Sequence, residues 1–111
     1  MIPSHRPSAR WLVAAVLAAA AGTAAAETHV VAQANKAFAT KVVKAKVGDT
    51  VSFRNDDDFA HNVFSLSDTQ SFDLGSYKKG ETRSVKIAKA GKVEVECAIH
   101  PEMKMIIEVA P

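Results

Sequence analysis

The sequence predicts a small all-β domain, an antiparallel β-sandwich or barrel. Three observations support this fold class. Short runs rich in Val, Ile and Phe alternate with polar residues, which is the period of half-buried strands. Turn signals such as Gly48-Asp49 separate these runs. Beyond the first 26 residues, no window of twelve or more residues carries a helical stripe. A chain of 111 residues suits one such domain.

The strand segments follow one another at short intervals along the chain. Val51 and Phe53 alternate with polar neighbours, and Val93, Val95 and Cys97 alternate with glutamates. The segment 67–80 is rich in polar residues and glycine and is predicted to be mostly loop, and 89–92 is predicted to be a hairpin turn. In order, the predicted strands are 28–33, 38–47, 50–54, 61–66, 82–88, 93–97 and 103–109.

The first 26 residues have the three parts of a secretory signal peptide. Arg6 and Arg10 form a positive region, residues 11–21 are an uninterrupted apolar run, and 24–26 are three alanines that make an A-x-A cleavage site. A transmembrane anchor is the alternative, but a spanning helix needs about 20 apolar residues. We therefore predict a leader 1–26 and a domain 27–111, with Ala21 and Ala25 as alternative cleavage positions, and export to a bacterial periplasm.

Removal of the leader changes the charge balance of the chain. The whole chain has 14 Lys and Arg against 12 Asp and Glu, and two of the basic residues lie in the leader. The domain is therefore electrically balanced, which gives no basis for nucleic-acid binding. It retains one cysteine, so it cannot form an internal disulfide. In an oxidising compartment, a lone thiol is explained by burial, intermolecular pairing or a metal.

The cysteine belongs to a compact group of potential metal ligands. Strand phase directs Cys97 inward at the end of its strand, and His100 and Met103 follow in the next six residues. His61, at the start of another predicted strand, adds a second imidazole that sheet pairing could bring near. Two imidazoles, a thiolate and a thioether are the donor set of a blue copper site, whereas zinc more often takes further Cys or His ligands.

Two segments carry a resemblance to a known family. The sequences GDTVSFRNDDDFAHNVFS and VEVECAIHPEMKM resemble the cupredoxins, the plastocyanin/azurin family, and within it the amicyanin-like, short-loop branch associated with methylamine utilisation. The resemblance implies a Greek-key β-sandwich holding one type 1 copper with ligands His61, Cys97, His100 and Met103. It also implies a monomeric, non-enzymatic carrier of single electrons, with redox partners docking transiently near His100.

The axial ligand has two candidates at the sequence level. Met103 follows His100 by three residues, which matches the amicyanin-like loop, and Met105 follows it by five, which matches the longer plastocyanin-like spacing. Both methionines lie on the same strand face, so direction does not decide between them. Met105 continues the regular core face of Ile107 and Val109, which favours Met103 as the ligand.

Two further residues receive hypotheses. By the resemblance, Asn62 braces the two ligand loops through hydrogen bonding. If cleavage follows Ala26, the α-amine, two backbone amides and the third-position imidazole of His29 could form a square-planar Cu(II) or Ni(II) site. The ordinary alternative places His29 in the first strand.

Two other functions remain as alternatives to the electron carrier. A copper chaperone or store would need an exposed, exchangeable site, which is typically richer in Met and His than this chain. A domain of a copper oxidase or reductase would need a second copper and further histidines. Neither a hydrolase nucleophile motif nor a phosphate-binding glycine loop is present in the sequence.

Overall fold

The computed structural model describes residues 25–111, which form nine β-strands and contain no helix. Residues 1–24, the greater part of the predicted leader, lie outside the described residues. Between 25 and 111 there is no helix with the length and apolar character needed to cross a membrane. The strands are β1 Thr28–Ala34, β2 Ala37–Phe38, β3 Val42–Lys46, β4 Thr50–Asn55, β5 His61–Leu66, β6 Ser71–Tyr77, β7 Thr82–Lys86, β8 Gly91–Glu96 and β9 Lys104–Ala110.

The strands form two sheets with an apolar core between them. One sheet has the order β2-β1-β4-β7 and the other β3-β9-β8-β5-β6. Alternate residues of the inner strands are buried, as the sequence period predicts; on β8 these are Val93 and Val95, and on β9 they are Met105, Ile107 and Val109. The predicted all-β sandwich is confirmed.

The sheets are mixed rather than purely antiparallel. β1 runs parallel to β4, with Thr28 opposite Thr50, and β3 runs parallel to β9, with Val43 opposite Ile107. The other pairings are antiparallel. Strand direction is not encoded in the alternation of apolar and polar residues, because both kinds of pairing share the period of two.

Three local predictions are wrong. The predicted strand 38–47 divides into β2 and β3, which lie in different sheets. The segment 67–80 contains β6, an edge strand whose half-buried Phe72 and Leu74 pack against the core. Edge strands are exposed on one side and tolerate polar residues and glycine. The polar sequence of this segment therefore did not predict a strand. The turn at 89–92 does not close a hairpin, because it leads from β7 in one sheet to β8 in the other, and Gly91 already belongs to β8.

Sheet pairing brings three strand ends to one end of the sandwich. β5 runs antiparallel to β8, with Phe64 opposite Glu96, so the start of β5 lies beside the end of β8. β8 is also antiparallel to β9, with Glu96 opposite Lys104. The residues that begin β5, follow β8 and precede β9 therefore meet at the same edge, and these are His61, Cys97 and Met103.

Candidate metal centre

Three side chains converge at this end of the sandwich. The ligand atoms of His61, Cys97 and His100 all lie within 4.8 Å of one another. The Cys97 Sγ is 3.8 Å from His61 Nδ1 and 3.9 Å from His100 Nδ1, so both imidazoles turn the same nitrogen toward the sulfur. His61 and Cys97 are fully buried, whereas His100 is half-buried. The sequence prediction that these three residues come together is in agreement with the geometry.

The loop between β8 and β9 is closed by its own backbone. The Cys97 N–H donates to the Met103 carbonyl at 3.3 Å, and the Met103 N–H donates to the His100 carbonyl at 2.9 Å. Pro101 lies inside this loop and restricts its backbone. The sulfur, the second imidazole and the methionine are therefore held in one short, cross-linked segment.

The two methionines occupy different places relative to this loop. Met103 is its last residue and is 1% exposed, and its backbone bonds to both Cys97 and His100. Met105 lies within β9 opposite Val95, among the core side chains. The loop closure thus ties the Met103 backbone to the loop that carries Cys97 and His100, whereas Met105 lies two residues further along the chain.

His61 is oriented by a carboxylate. Its Nε2 lies 2.7 Å from Asp57 Oδ2, so Nε2 carries the proton and donates, and Nδ1 is left with a free lone pair directed toward the sulfur. No role was assigned to Asp57 from the sequence, so this contact was missed. The available signal was a carboxylate four residues before the histidine.

Asp57 also secures the turn between β1 and β2. It accepts the backbone N–H groups of Asn35 at 2.7 Å and Lys36 at 3.0 Å, two residues with positive φ values of 56° and 58°. Partial burial acts to raise the pKa of Asp57, but the hydrogen bonds from His61, Lys36 and Asn35 outweigh it and lower that pKa. The carboxylate is therefore ionised when it accepts the hydrogen bond from His61 Nε2.

His100 forms the outer side of the cluster. Its ring lies 4.9 Å from the His61 ring and 5.2 Å from the Phe59 ring, measured between centroids. Desolvation is the largest cause that lowers the pKa of His100, and the positive charge of Lys36 acts in the same direction. The imidazole is consequently neutral at neutral pH, which is the form that binds a metal.

Asn62 links the two ligand-bearing segments. Its Oδ1 accepts the backbone N–H of Ala98 at 2.7 Å, which connects the residue after His61 to the residue after Cys97. This contact agrees with the bracing role expected of Asn62.

Replacement of the Asn62 side-chain amide should give a measurable loss of stability. An Asn62→Ala variant is expected to lose about 1 kcal/mol of unfolding free energy, because one hydrogen bond between the loops is removed. Urea denaturation of the metal-free protein measures it. Ser76→Ala is the matched control, since Ser76 is exposed and faces Asn62 across the β5–β6 pair. Equal stability of both variants would contradict the bracing role.

Comparison with known proteins identifies the family of this chain. The model of the family described as copper binding proteins, plastocyanin/azurin family, matches residues 25–110. The chain belongs to this family. The cupredoxin is also 39% identical over 69 residues to the methylamine utilization protein MauL of Methylorubrum extorquens, a match that covers 61% of this chain and 60% of MauL. The chain thus spans less than two thirds of the length of that relative.

Solved structures show the same fold. The cupredoxin matches the Cu(I) form of an amicyanin mutant with a TM-score of 0.70 and 27% identity, over 75% of this chain and 82% of the amicyanin chain. It matches the Cu-containing nitrite reductase NirK of Thermus scotoductus with a TM-score of 0.70 and 28% identity, over 76% of this chain and 22% of the reductase. The expected cupredoxin fold is therefore confirmed, and the reductase contains the fold as one part of a larger chain.

The donor set of this chain fits copper. Two imidazole nitrogens and one thiolate sulfur at mutual distances of a few ångströms are the in-plane donors of a type 1 copper site. A structural zinc site would require a fourth Cys or His, and none joins the cluster among residues 25–111. Copper is accordingly the cofactor of this cupredoxin.

Proposed function

We propose that this cupredoxin is a type 1 copper protein that carries one electron at a time between redox partners. We assign the copper ligands to His61, Cys97, His100 and Met103. The single observation that carries this proposal is the convergence of the first three side chains through Nδ1, Sγ and Nδ1. Bound copper supplies the one-electron chemistry by alternating between Cu(I) and Cu(II).

The chain contributes a rigid donor set. Asp57 fixes the His61 ring, Asn62 ties the two ligand-bearing segments together, and backbone hydrogen bonds close the loop from Cys97 to Met103. Donors held in this way cannot rearrange greatly when the charge at the site changes. A small rearrangement lowers the barrier to electron transfer, which is the property that a carrier requires.

His100 provides the route for the electron. It is the one accessible member of the cluster, since His61 and Cys97 are almost completely buried. Ile99 is 49% exposed and Phe59 is 39% exposed, so apolar surface surrounds its edge. A partner docking there would approach the metal closely through a small interface of the kind that transient redox encounters use.

The two alternative functions receive less support from the site. A chaperone or store must release its copper, but the Cys97, His61 and Met103 side chains are at most 1% exposed. A reductase needs a second copper, and no further group of three or more His, Cys, Asp or Glu with metal-binding geometry occurs within residues 25–111. A non-enzymatic carrier acting in the periplasm after export agrees best with these features and with the predicted leader.

Reversible redox cycling tests the proposal directly. Copper-loaded protein should be intensely coloured when oxidised, bleach on chemical reduction and recover on reoxidation. Native mass spectrometry should find one copper per chain in both states. A colourless protein that binds only Cu(I), or one that loses copper on cycling, would support the chaperone instead.

The contact between Asp57 and His61 predicts a change in reduction potential. In Asp57→Asn, the imidazole loses an anionic acceptor, which weakens the binding of Cu(II) more than that of Cu(I). The loss of such outer partners typically costs 10- to 100-fold in metal affinity. If the variant binds Cu(II) tenfold more weakly and Cu(I) as tightly as before, the reduction potential rises by about 59 mV.

A neighbouring carboxylate supplies the control for this measurement. Asp58→Asn makes the same change of charge, but Asp58 is 84% exposed and pairs with Lys79 at the surface. Its potential should move much less because water screens the exposed charge. Cyclic voltammetry compares the two variants, and equal shifts would show that Asp57 acts only through its overall charge.

A further inference from the structure

A buried carboxylate lies apart from the metal ligands, at the corner where β1 meets the turn between β3 and β4. Asp49 is 2% exposed and accepts three hydrogen bonds. The backbone N–H of Glu27 lies 3.0 Å from its Oδ1, and His29 Nε2 and the backbone N–H of Lys46 each lie 2.9 Å from its Oδ2. The electron-carrier function uses none of these groups.

The backbone of Glu27 is hydrogen-bonded to the folded domain. Its carbonyl accepts the N–H of Thr50 at 2.9 Å, immediately before the parallel pairing of β1 with β4 begins. Ala25 and Ala26 are exposed and lie outside any strand. The backbone nitrogen of Glu27 thus marks the boundary between exposed chain and the folded domain, and it also follows the three alanines predicted as a cleavage site.

We propose that hydrolysis of the Ala26–Glu27 peptide bond releases an α-ammonium group that forms an ion pair with Asp49. The host's signal peptidase would carry out the cleavage with water as co-reactant. The hydroxyl of water completes the new carboxyl group of Ala26, and the other hydrogen of water goes to the nitrogen of Glu27, which becomes an amine. The new carboxyl group then releases its proton, and the amine takes up a proton to become the ammonium group. The nitrogen that already donates to Asp49 would then carry a positive charge.

This ion pair follows from the geometry of the donor and the burial of the acceptor. A charged donor makes a stronger hydrogen bond to a carboxylate than a neutral amide does. A buried carboxylate is costly unless an opposite charge compensates it. The hydrogen bonds from Glu27, His29 and Lys46 already hold the pKa of Asp49 well below its usual range, so the carboxylate is ionised at neutral pH.

The other titratable groups at this corner set the charge balance. His29 on β1 contacts Asp49 directly, the Lys46 side chain borders the same surface depression, and Glu27 carries its own side-chain carboxylate. With both the amine and His29 directed at Asp49, the square-planar Cu(II) or Ni(II) arrangement is disfavoured. It would also require the amides of Thr28 and His29, which lie in the ladder with β4.

The test uses the protein as the cell processes it. The full chain is expressed with its own leader in a Gram-negative host, and the intact mass of the exported protein locates its first residue. Isotope labelling of the whole protein then allows the unmodified α-amine to be titrated by NMR through the Cα resonance of Glu27. We expect a chain that begins at Glu27, with an α-amine pKa about one unit above the ordinary 7.7–8.0.

Two variants complete the experiment. In Asp49→Asn the α-amine should titrate in the ordinary range, so at neutral pH it should react with an acylating reagent about tenfold faster than in the wild type. Asp68→Asn, which removes an exposed carboxylate, should behave as the wild type. The proposal is overturned if processing leaves a different first residue, or if the wild-type amine titrates in the ordinary range. Both readings need only the wild-type protein, so they stand even if Asp49→Asn does not fold.

Discussion

A Cys97→Ser variant of this cupredoxin should lose the intense visible absorption of the copper-loaded protein completely. That colour arises from charge transfer between a thiolate sulfur and Cu(II), and Cys97 is the only cysteine in the chain. Serine is nearly the same size, and Cys97 is 1% exposed, so the substitution changes the donor atom with little change in shape. Absorption and EPR spectra of copper-loaded wild type and variant measure the effect.

Substitutions at the two methionines make this test specific. Met105→Leu conserves volume in the core, so it should retain the wild-type spectrum and cost less than about 1.5 kcal/mol of stability. Met103→Leu should keep the colour, because the thiolate remains, but should alter the EPR spectrum and the reduction potential by removing the thioether that we propose as the fourth ligand. If Cys97→Ser and wild type give the same spectrum, the thiolate is not a ligand and the proposed site fails.

Much of the metal centre could be predicted from the sequence because its parts are local. The alternation of Val93, Val95 and Cys97 sets the direction of the thiol, and the short spacing to His100 and Met103 confines three candidate donors to one loop. His61 required a long-range assumption, since it lies 36 residues before Cys97. That assumption succeeded because β5 and β8 pair directly.

The contacts that orient the site were not predictable in the same way. Asp57 acts on His61 from within the same turn, but its carboxylate is fixed by backbone groups 21 and 22 residues earlier, in the turn at Asn35 and Lys36. A run of three aspartates usually indicates a solvated surface, so the sequence does not distinguish the middle aspartate from its two neighbours. The parallel pairings were missed for a related reason, because they depend on which strands meet and not on the pattern within each strand.

The second large effect concerns the core that supports the site. Phe53 is completely buried on β4, and its ring meets Phe38 edge-on with centroids 5.9 Å apart. Replacing a buried phenylalanine with alanine costs about 3–5 kcal/mol, through lost burial and the cavity left behind. At about 0.05–0.15 kcal/mol per residue, a domain of this size has only about 4–13 kcal/mol in total. Metal-free Phe53→Ala should therefore be close to the limit of folding, with a sharply lower urea midpoint.

Copper should restore much of this loss, because it binds the folded arrangement of donors and not the unfolded chain. Free copper at about 1,000 times its dissociation constant adds about 4 kcal/mol of stability. Copper-loaded Phe53→Ala should thus remain folded and coloured under conditions that unfold the metal-free variant. Leu66→Ala, which truncates a side chain that is 77% exposed on β5, should change stability by no more than about 0.5 kcal/mol in either form. Equal urea midpoints for metal-free and copper-loaded Phe53→Ala would mean that copper binds the folded chain no better than the unfolded chain, which contradicts a site assembled by sheet pairing.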